Sequence, residues 1–193
     1  MQIGFYIDQS RCTGCYTCTI ACKDWHNIPA EPVNWRWLIT VEKGQYPKVF
    51  VAFLSLSCLH CAGPSCMSVC PASAINKREK DGIVVVNQEA CLGEEACGLC
   101  KEACPYEAPQ FSAEEGAKVQ MCDLCADRWE EGKKPICVEA CPMRALDAGP
   151  LDELEVKYGT LKEVDGFIYI EKNRPSVVFK AREPEPLTVA IKQ

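Results

Sequence analysis

Histidine is almost missing from this chain of 193 residues, with His26 and His60 the only two. That scarcity leaves no set of base, nucleophile and orienting group from which an independent active site would be built. Long hydrophobic stretches are absent as well. The longest apolar run, Val49 to Leu59, covers eleven residues and contains Ser55 and Ser57, whereas a membrane-spanning helix needs about twenty. The first residues do not read as an export signal, because Asp8 and Arg11 interrupt them. Nor is there a surplus of positive charge. The chain has 21 basic and 27 acidic side chains, a formal net charge of −6, and no basic stripe of the kind that holds nucleic acid. Lys77, Arg78 and Lys80 are interrupted by Glu79 and Asp81 and read as a solvated turn.

What the chain has instead is cysteine. Sixteen cysteines fall into four groups of four: Cys12, Cys15, Cys18 and Cys22; Cys58, Cys61, Cys66 and Cys70; Cys91, Cys97, Cys100 and Cys104; Cys122, Cys125, Cys137 and Cys141. The opening group has the C-x2-C-x2-C-x3-C spacing of bacterial ferredoxins. Cys70, Cys104 and Cys141 are each followed by proline, the ferredoxin ending. A disulfide framework calls for an oxidising compartment and usually a short secreted chain. Structural zinc uses separated pairs rather than triplets closed by Cys-Pro, and buried free cysteine explains one residue, not sixteen. Iron–sulfur ligation accounts for all of them, since sixteen thiolates divide into four cubanes with none left over.

Along the chain, residues 3 to 7 read as a strand leading into the first cysteine loop. Cys18 to Asn27 reads as a short helix ending before Pro29. Trp35 to Val41 and Lys48 to Leu56 read as two extended segments joined through Gly44 and Pro47, a hairpin between cluster-bearing regions. Trp35 and Trp37 would share one face and pack over a cluster or lobe boundary. Ile83 to Asn87 is a short strand between the second and third groups. Ala126 to Ile136 reads as a surface loop and candidate docking element. Pro71-Ala-Ser-Ala74-Ile75 and Pro142-Met-Arg-Ala145-Leu146 repeat one form, which indicates duplication of a half-unit. Beyond Asp147, Leu151 to Tyr158 reads as a helical turn or two, and Phe167 to Ile170 and Val177 to Phe179 as extended stretches. Glu183-Pro184-Glu185-Pro186 is too proline-rich for regular structure. The predicted fold is α+β: two bacterial-ferredoxin-like lobes with two 4Fe-4S clusters each, a β-hairpin insertion and an extended C-terminal tail. The expected divisions are 1–49 with 113–150, then 50–112, then 151–193. Clusters would staple such lobes, which are expected to be unstable without iron and sulfide.

Three stretches carry a resemblance. They are Cys12-Thr-Gly-Cys15-Tyr-Thr-Cys18-Thr-Ile-Ala-Cys22-Lys-Asp, Cys104-Pro-Tyr-Glu-Ala-Pro-Gln110, and Met121-Cys-Asp-Leu-Cys125-Ala-Asp-Arg128 with the run from Gly132 to Leu146. The chain resembles the four-cluster iron–sulfur (beta) subunits of the molybdenum/tungsten bis-pterin oxidoreductases, nearest to the dimethyl sulfoxide reductase type. The resemblance implies crossed ligation: Cys12, Cys15, Cys18 with Cys141; Cys122, Cys125, Cys137 with Cys22; Cys58, Cys61, Cys66 with Cys104; Cys91, Cys97, Cys100 with Cys70. The third group departs from the pattern, with five residues between Cys91 and Cys97 where the family usually has two. Cys91 is still expected to ligate, and Glu94 and Glu95 to lower that cluster's potential.

The resemblance further implies a non-catalytic electron-transfer subunit of an oxidoreductase complex. It would relay single electrons between a large molybdo- or tungsto-pterin catalytic subunit and a quinone-reactive membrane subunit or soluble redox partner. The alternative is a stand-alone polyferredoxin. A zinc-bearing scaffold, or a subunit whose cluster binds substrate directly, fits the sixteen ligands less well. The expected location is cytoplasmic or membrane-associated through a partner, with co-export to the periplasm a further route. His60, beside Cys61, reads first as a structural contact and second as a hydrogen-bonding tuner; His26 reads as a cap or surface residue. Lys23 either favours reduction of a nearby cluster or solvates a helix face.

Overall fold

The computed structural model describes residues 1–30 and 32–183. Pro184, Glu185 and Pro186 of the proline-rich segment lie outside the described residues. The architecture is a mixed α+β fold whose centre is strand β1 (Ile3–Asp8), every residue of which is buried. It is buried because it has a partner on each side: β6 (Leu146–Pro150) pairs antiparallel with it and β7 (Val177–Lys180) pairs parallel. Ile3, Phe5 and Ile7 alternate into the main core. On the opposite face Tyr6 stacks on Tyr158 at 3.7 Å between ring centroids, under helix α6 (Leu151–Tyr158). Gly4 permits the β7 approach, since a Cβ there would lie 2.4 Å from the Ser176 carbonyl oxygen.

Two ten-residue strands, β2 (Arg36–Gln45) and β3 (Lys48–Ser57), form the hairpin, in register from Arg36 opposite Ser57 to Gln45 opposite Lys48. The tip is exposed at Tyr46 and Val49, while Ala52, Leu54 and Leu56 are buried. The expected division at residues 49 and 50 falls inside β3. A small antiparallel pair, β4 (Ile75–Lys77) with β5 (Val84–Val86), separates the second and third cysteine groups. Cysteines from all four groups enter the main core, while Cys22 sits in a small separate cluster with Ile28 and Val33.

Residues 151–183 are not a tail, which corrects the extended C-terminal segment read from the sequence. The Val177-Val178-Phe179 run is almost fully buried beside β1, because so apolar a strand needs a covered edge. The Phe167–Ile170 stretch forms only an isolated bridge, between Val164 and Phe167. Its Phe167 ring stacks on Tyr106 at 5.0 Å. Ala126 to Ile136 is also more than a surface loop. It contains helix α4 (Ala126–Glu130), and buried Arg128 hydrogen-bonds the Lys134 carbonyl and pairs with Glu139.

Candidate metal centres

Each cysteine group begins with the same backbone device. In the pairs that open the groups, the residue two after the first cysteine has positive φ: Gly14 (70°), His60 (44°), Gly93 (95°) and Leu124 (59°). That turn points its amide back at the first sulfur. Gly93 N–H donates to Cys91 Sγ at 3.4 Å and Leu124 N–H to Cys122 Sγ at 3.4 Å. The amides of Gly14 and His60 serve Cys12 and Cys58 likewise. Glycine enters this region freely, whereas histidine and leucine do so at a cost of about 1–2 kcal/mol, so an external requirement holds them there.

A second device ends three of the groups. Ser73, Glu107 and Arg144 have φ of 49°, 54° and 51°, each three residues after a cysteine in Cys-Pro-x-x-Ala. Their amides each donate to that cysteine's carbonyl at 3.2 Å. The following alanine then gives its N–H to the sulfur: Ala74 to Cys70 at 3.2 Å and Ala145 to Cys141 at 3.3 Å, with Ala108 doing the same for Cys104. The sequence reveals two copies of this repeat; Cys104-Pro-Tyr-Glu-Ala108 is a third. The alanine is small because it is buried, at 0% exposure for Ala74 and 2% for Ala145.

The sulfurs draw together in sets. Cys12, Cys15, Cys18 and Cys141 line one cavity with Leu38 and Pro142, and Cys70, Cys91, Cys97 and Cys100 line another with Phe111 and Val119. Cys58 faces the sulfurs of Cys61, Cys66 and Cys104. Cys122 and Cys125 each face Cys22 and Cys137. Burial, then these neighbours, pushes Cys22, Cys61 and Cys66 up to about 12. Cys58 and Cys122 are likewise raised well above the ordinary thiol value, for the same reasons. Exposed Cys15 goes the other way, lowered by its hydrogen bonds with Thr17. Sulfurs crowded in this way remain neutral thiols unless a bound cation holds them as thiolates. All sixteen are free of disulfide bonds. An all-sulfur donor set with apolar lining and amides aimed at the sulfurs fits iron–sulfur clusters.

Comparison with known proteins is in keeping with this chemistry. The family described as "4Fe-4S dicluster domain" matches residues 49–151. The B subunit of the anaerobic dimethyl sulfoxide reductase of Escherichia coli (strain K12) is 46% identical over 187 residues, covering 93% of this protein and 88% of that one. The chain belongs to the iron–sulfur subunits of the molybdenum and tungsten bis-pterin oxidoreductases, of the dimethyl sulfoxide reductase type. The corresponding subunit from Haemophilus influenzae is 44% identical over 188 residues, 93% of this protein and 89% of that one. The thiosulfate reductase electron transfer subunit PhsB of Salmonella typhi is 36% identical over 152 residues, 78% and 77%.

Around the sulfurs of this iron–sulfur subunit, the remaining candidate residues take definite roles. The His60 side chain is fully buried and its Nδ1 accepts the Val84 amide at 3.0 Å. Burial, then Lys77 and Arg36, lowers its pKa to about 3; the Nδ1 contact is structural, and the buried Nε2 has no hydrogen-bond partner among the described residues. His26 does cap helix α1 (Thr17–Trp25) through its backbone, but its Nε2 also lies 3.3 Å from Cys125 Sγ. Lys23 reaches back over the chain and donates to the carbonyls of Pro29 at 2.8 Å and Val33 at 2.7 Å, and to that of Ala30. It fastens the loop that covers Cys22. Trp35 hydrogen-bonds Gln120 at 3.2 Å and lies against His26, while Trp37 lines a cavity with Phe111. In the enlarged third group, Glu94 is paired with Lys101 at 2.7 Å, and exposed Glu95 has no ion pair among the described residues.

Sequence reasoning missed Arg36 altogether. It is 1% exposed, and its guanidinium lies over the Phe5 ring at 4.6 Å. Burial opposes its charge, but the sulfurs of Cys137, Cys18, Cys122 and Cys22 more than offset that and hold its pKa above the ordinary value. The signal available in the sequence was its place between Trp35 and Trp37, at a strand end facing Ser55 and Ser57.

Proposed function

We propose that the sixteen cysteines hold four 4Fe-4S clusters in two ferredoxin-like lobes and that the chain passes single electrons through them. The ligand sets are Cys12, Cys15, Cys18 with Cys141; Cys122, Cys125, Cys137 with Cys22; Cys58, Cys61, Cys66 with Cys104; and Cys91, Cys97, Cys100 with Cys70. The observation that carries this reading is the convergence of sulfurs from distant groups, seen most directly where Cys141 joins Cys12, Cys15 and Cys18 around one cavity. When bound, each cluster supplies a one-electron redox centre. The chain's own residues enclose these centres, direct amides at their ligands and exclude water from the buried sulfurs. Cys91 keeps its role despite the longer spacing, because the amides of Gly93 and Val119, at 3.4 and 3.5 Å, both address its sulfur.

The chain is a non-catalytic relay subunit. Its partners are a large pterin-containing catalytic subunit and, by likeness to the dimethyl sulfoxide and thiosulfate reductase subunits, a membrane or soluble redox component. No helix among the described residues is long and apolar enough to cross a membrane. The test is anaerobic purification through a tag on this chain. A large pterin-containing subunit is expected to co-purify in equal amount, and electrons delivered through it are expected to reduce this chain's clusters. A fully folded, cluster-loaded chain that purifies alone would overturn the relay reading in favour of a free polyferredoxin.

A further inference from the structure

Arg36 begins strand β2 in the heart of the molecule, yet among the described residues it forms no ion pair with a carboxylate. Its neutral partners are Ser55, whose Oγ accepts from one guanidinium nitrogen at 3.1 Å, and Ser57, whose Oγ accepts from the other at 2.9 Å. Arginine does not give up its proton in proteins, and a buried charge without compensation is strongly unfavourable. No carboxylate among the described residues supplies the compensation; the groups that face the guanidinium are the sulfurs of Cys137, Cys18, Cys122 and Cys22, which become anionic once they ligate a metal. Cys18 belongs to one proposed ligand set, and the other three belong to a second.

The hydroxyl geometry gives the charge a route to one ligand. Ser55 Oγ accepts from Arg36 and lies 3.3 Å from Cys18 Sγ; a ligating thiolate has no proton to give, so with a cluster bound the Ser55 hydroxyl is the donor of that contact. Ser57 likewise accepts from Arg36 and donates to the Cys58 carbonyl at 3.2 Å.

We infer that Arg36 is the shared countercharge of the two centres formed by the first and fourth cysteine groups, raising both reduction potentials and reaching one of them through Ser55 and Cys18. The inference rests on the four-cluster reading above. Reduction adds one electron, and hence one negative charge, to a centre without a proton. A fixed cation beside two such centres favours the reduced form of each, and eases the repulsion when both are reduced. Arg36 acts through the ligands and is a positioning and tuning residue, not a catalytic one.

The experiment is a redox titration followed by electron paramagnetic resonance on the intact complex, with iron quantified in each sample. It compares the native chain with Arg36→Gln, Arg36→Lys and Ser55→Ala. Arg36→Gln is expected to lower two of the four midpoint potentials and leave the other two unmoved. Arg36→Lys should lie nearer the native values, and Ser55→Ala should lower only one of the same two. Full iron with four unmoved potentials in Arg36→Gln, or an equal shift of all four, overturns the inference. If Arg36→Gln fails to retain iron, native potentials in both Arg36→Lys and Ser55→Ala overturn it. A native chain without four titrating centres defeats the four-cluster reading instead, and the iron count separates that failure from this one.

Discussion

The amide of Ala145 donates to Cys141 Sγ at 3.3 Å across a turn in which Arg144 is left-handed at φ 51°. The same turn recurs at Cys70 and Cys104, so the strained residue before each alanine is part of how a Cys-Pro sulfur is presented. Ser73, which is exposed, offers the cleanest test. Ser73→Val places a β-branched side chain at φ 49°, and a loss of about 1–2 kcal/mol is expected. Ser73→Gly should be neutral or slightly stabilising. Denaturant midpoints of the cluster-loaded protein check both, and equal effects of the two substitutions would sink the explanation.

Lys23 is expected to act through the loop it fastens rather than through its charge. Its ammonium bonds the carbonyls of Pro29 and Val33, and Ile28 and Val33 pack beside Cys22. Lys23→Met should cost roughly 1.5–3 kcal/mol, the range for hydrogen bonds to charged groups. It should also speed iron loss to a chelator, with little change in any midpoint potential. A large potential shift with normal iron retention would restore the electrostatic role.

Asp147 ties β6 to helix α6. It accepts from Tyr158 at 2.8 Å and lies 3.1 Å from Lys134 and 3.2 Å from Lys157. Burial raises its pKa, but the Tyr158 and Lys134 hydrogen bonds outweigh burial and leave it below the ordinary value. A carboxyl depressed on folding stabilises the fold above its unfolded pKa of about 3.9, and that contribution fades as pH falls through the folded value. Asp147→Asn should therefore lose about 1–3 kcal/mol at neutral pH. The deficit should hold constant down to about pH 5 and shrink only in the acid range below. Paired unfolding curves across pH measure it; a deficit that vanishes between neutrality and about pH 5 contradicts the assignment.

Iron removal should unfold the chain rather than merely empty it. Helices α2 (Ser65–Ser68), α3 (Leu99–Ala103), α4 and α5 (Ile136–Glu139) have four or five residues each. Isolated helices below about 12–15 residues are marginal in water, so their order depends on what the adjoining cysteines bind. Circular dichroism after anaerobic chelation is expected to show a broad loss of regular structure. Retained native spectra would show that the polypeptide is ordered without its clusters.

Much of this was legible in the cysteine spacing, in the Gly44–Pro47 turn and in the apolar runs of β1 and β3. The rest was hidden for identifiable reasons. Arg36 is charged, and charge in a sequence argues for the surface unless a counter-ion is visible. Here the compensating groups are sulfurs scattered from residue 18 to residue 137. Val177–Phe179 reads as extended, but its parallel pairing with β1 joins residues some 170 positions apart, and no local pattern encodes such a partner. His60 and Leu124 take a conformation that glycine signals and they do not, so the fourfold recurrence of the ligand turn was visible only at Gly14 and Gly93.

The central claim is that sixteen thiolates are fully used by four cubanes. Iron and acid-labile sulfide should be measured in the anaerobically isolated complex, normalised to this chain and corrected for any metal in the partner. With four irons per cubane, about sixteen iron and sixteen sulfide per chain are expected. About eight of each, or cysteines joined to one another, would contradict the account.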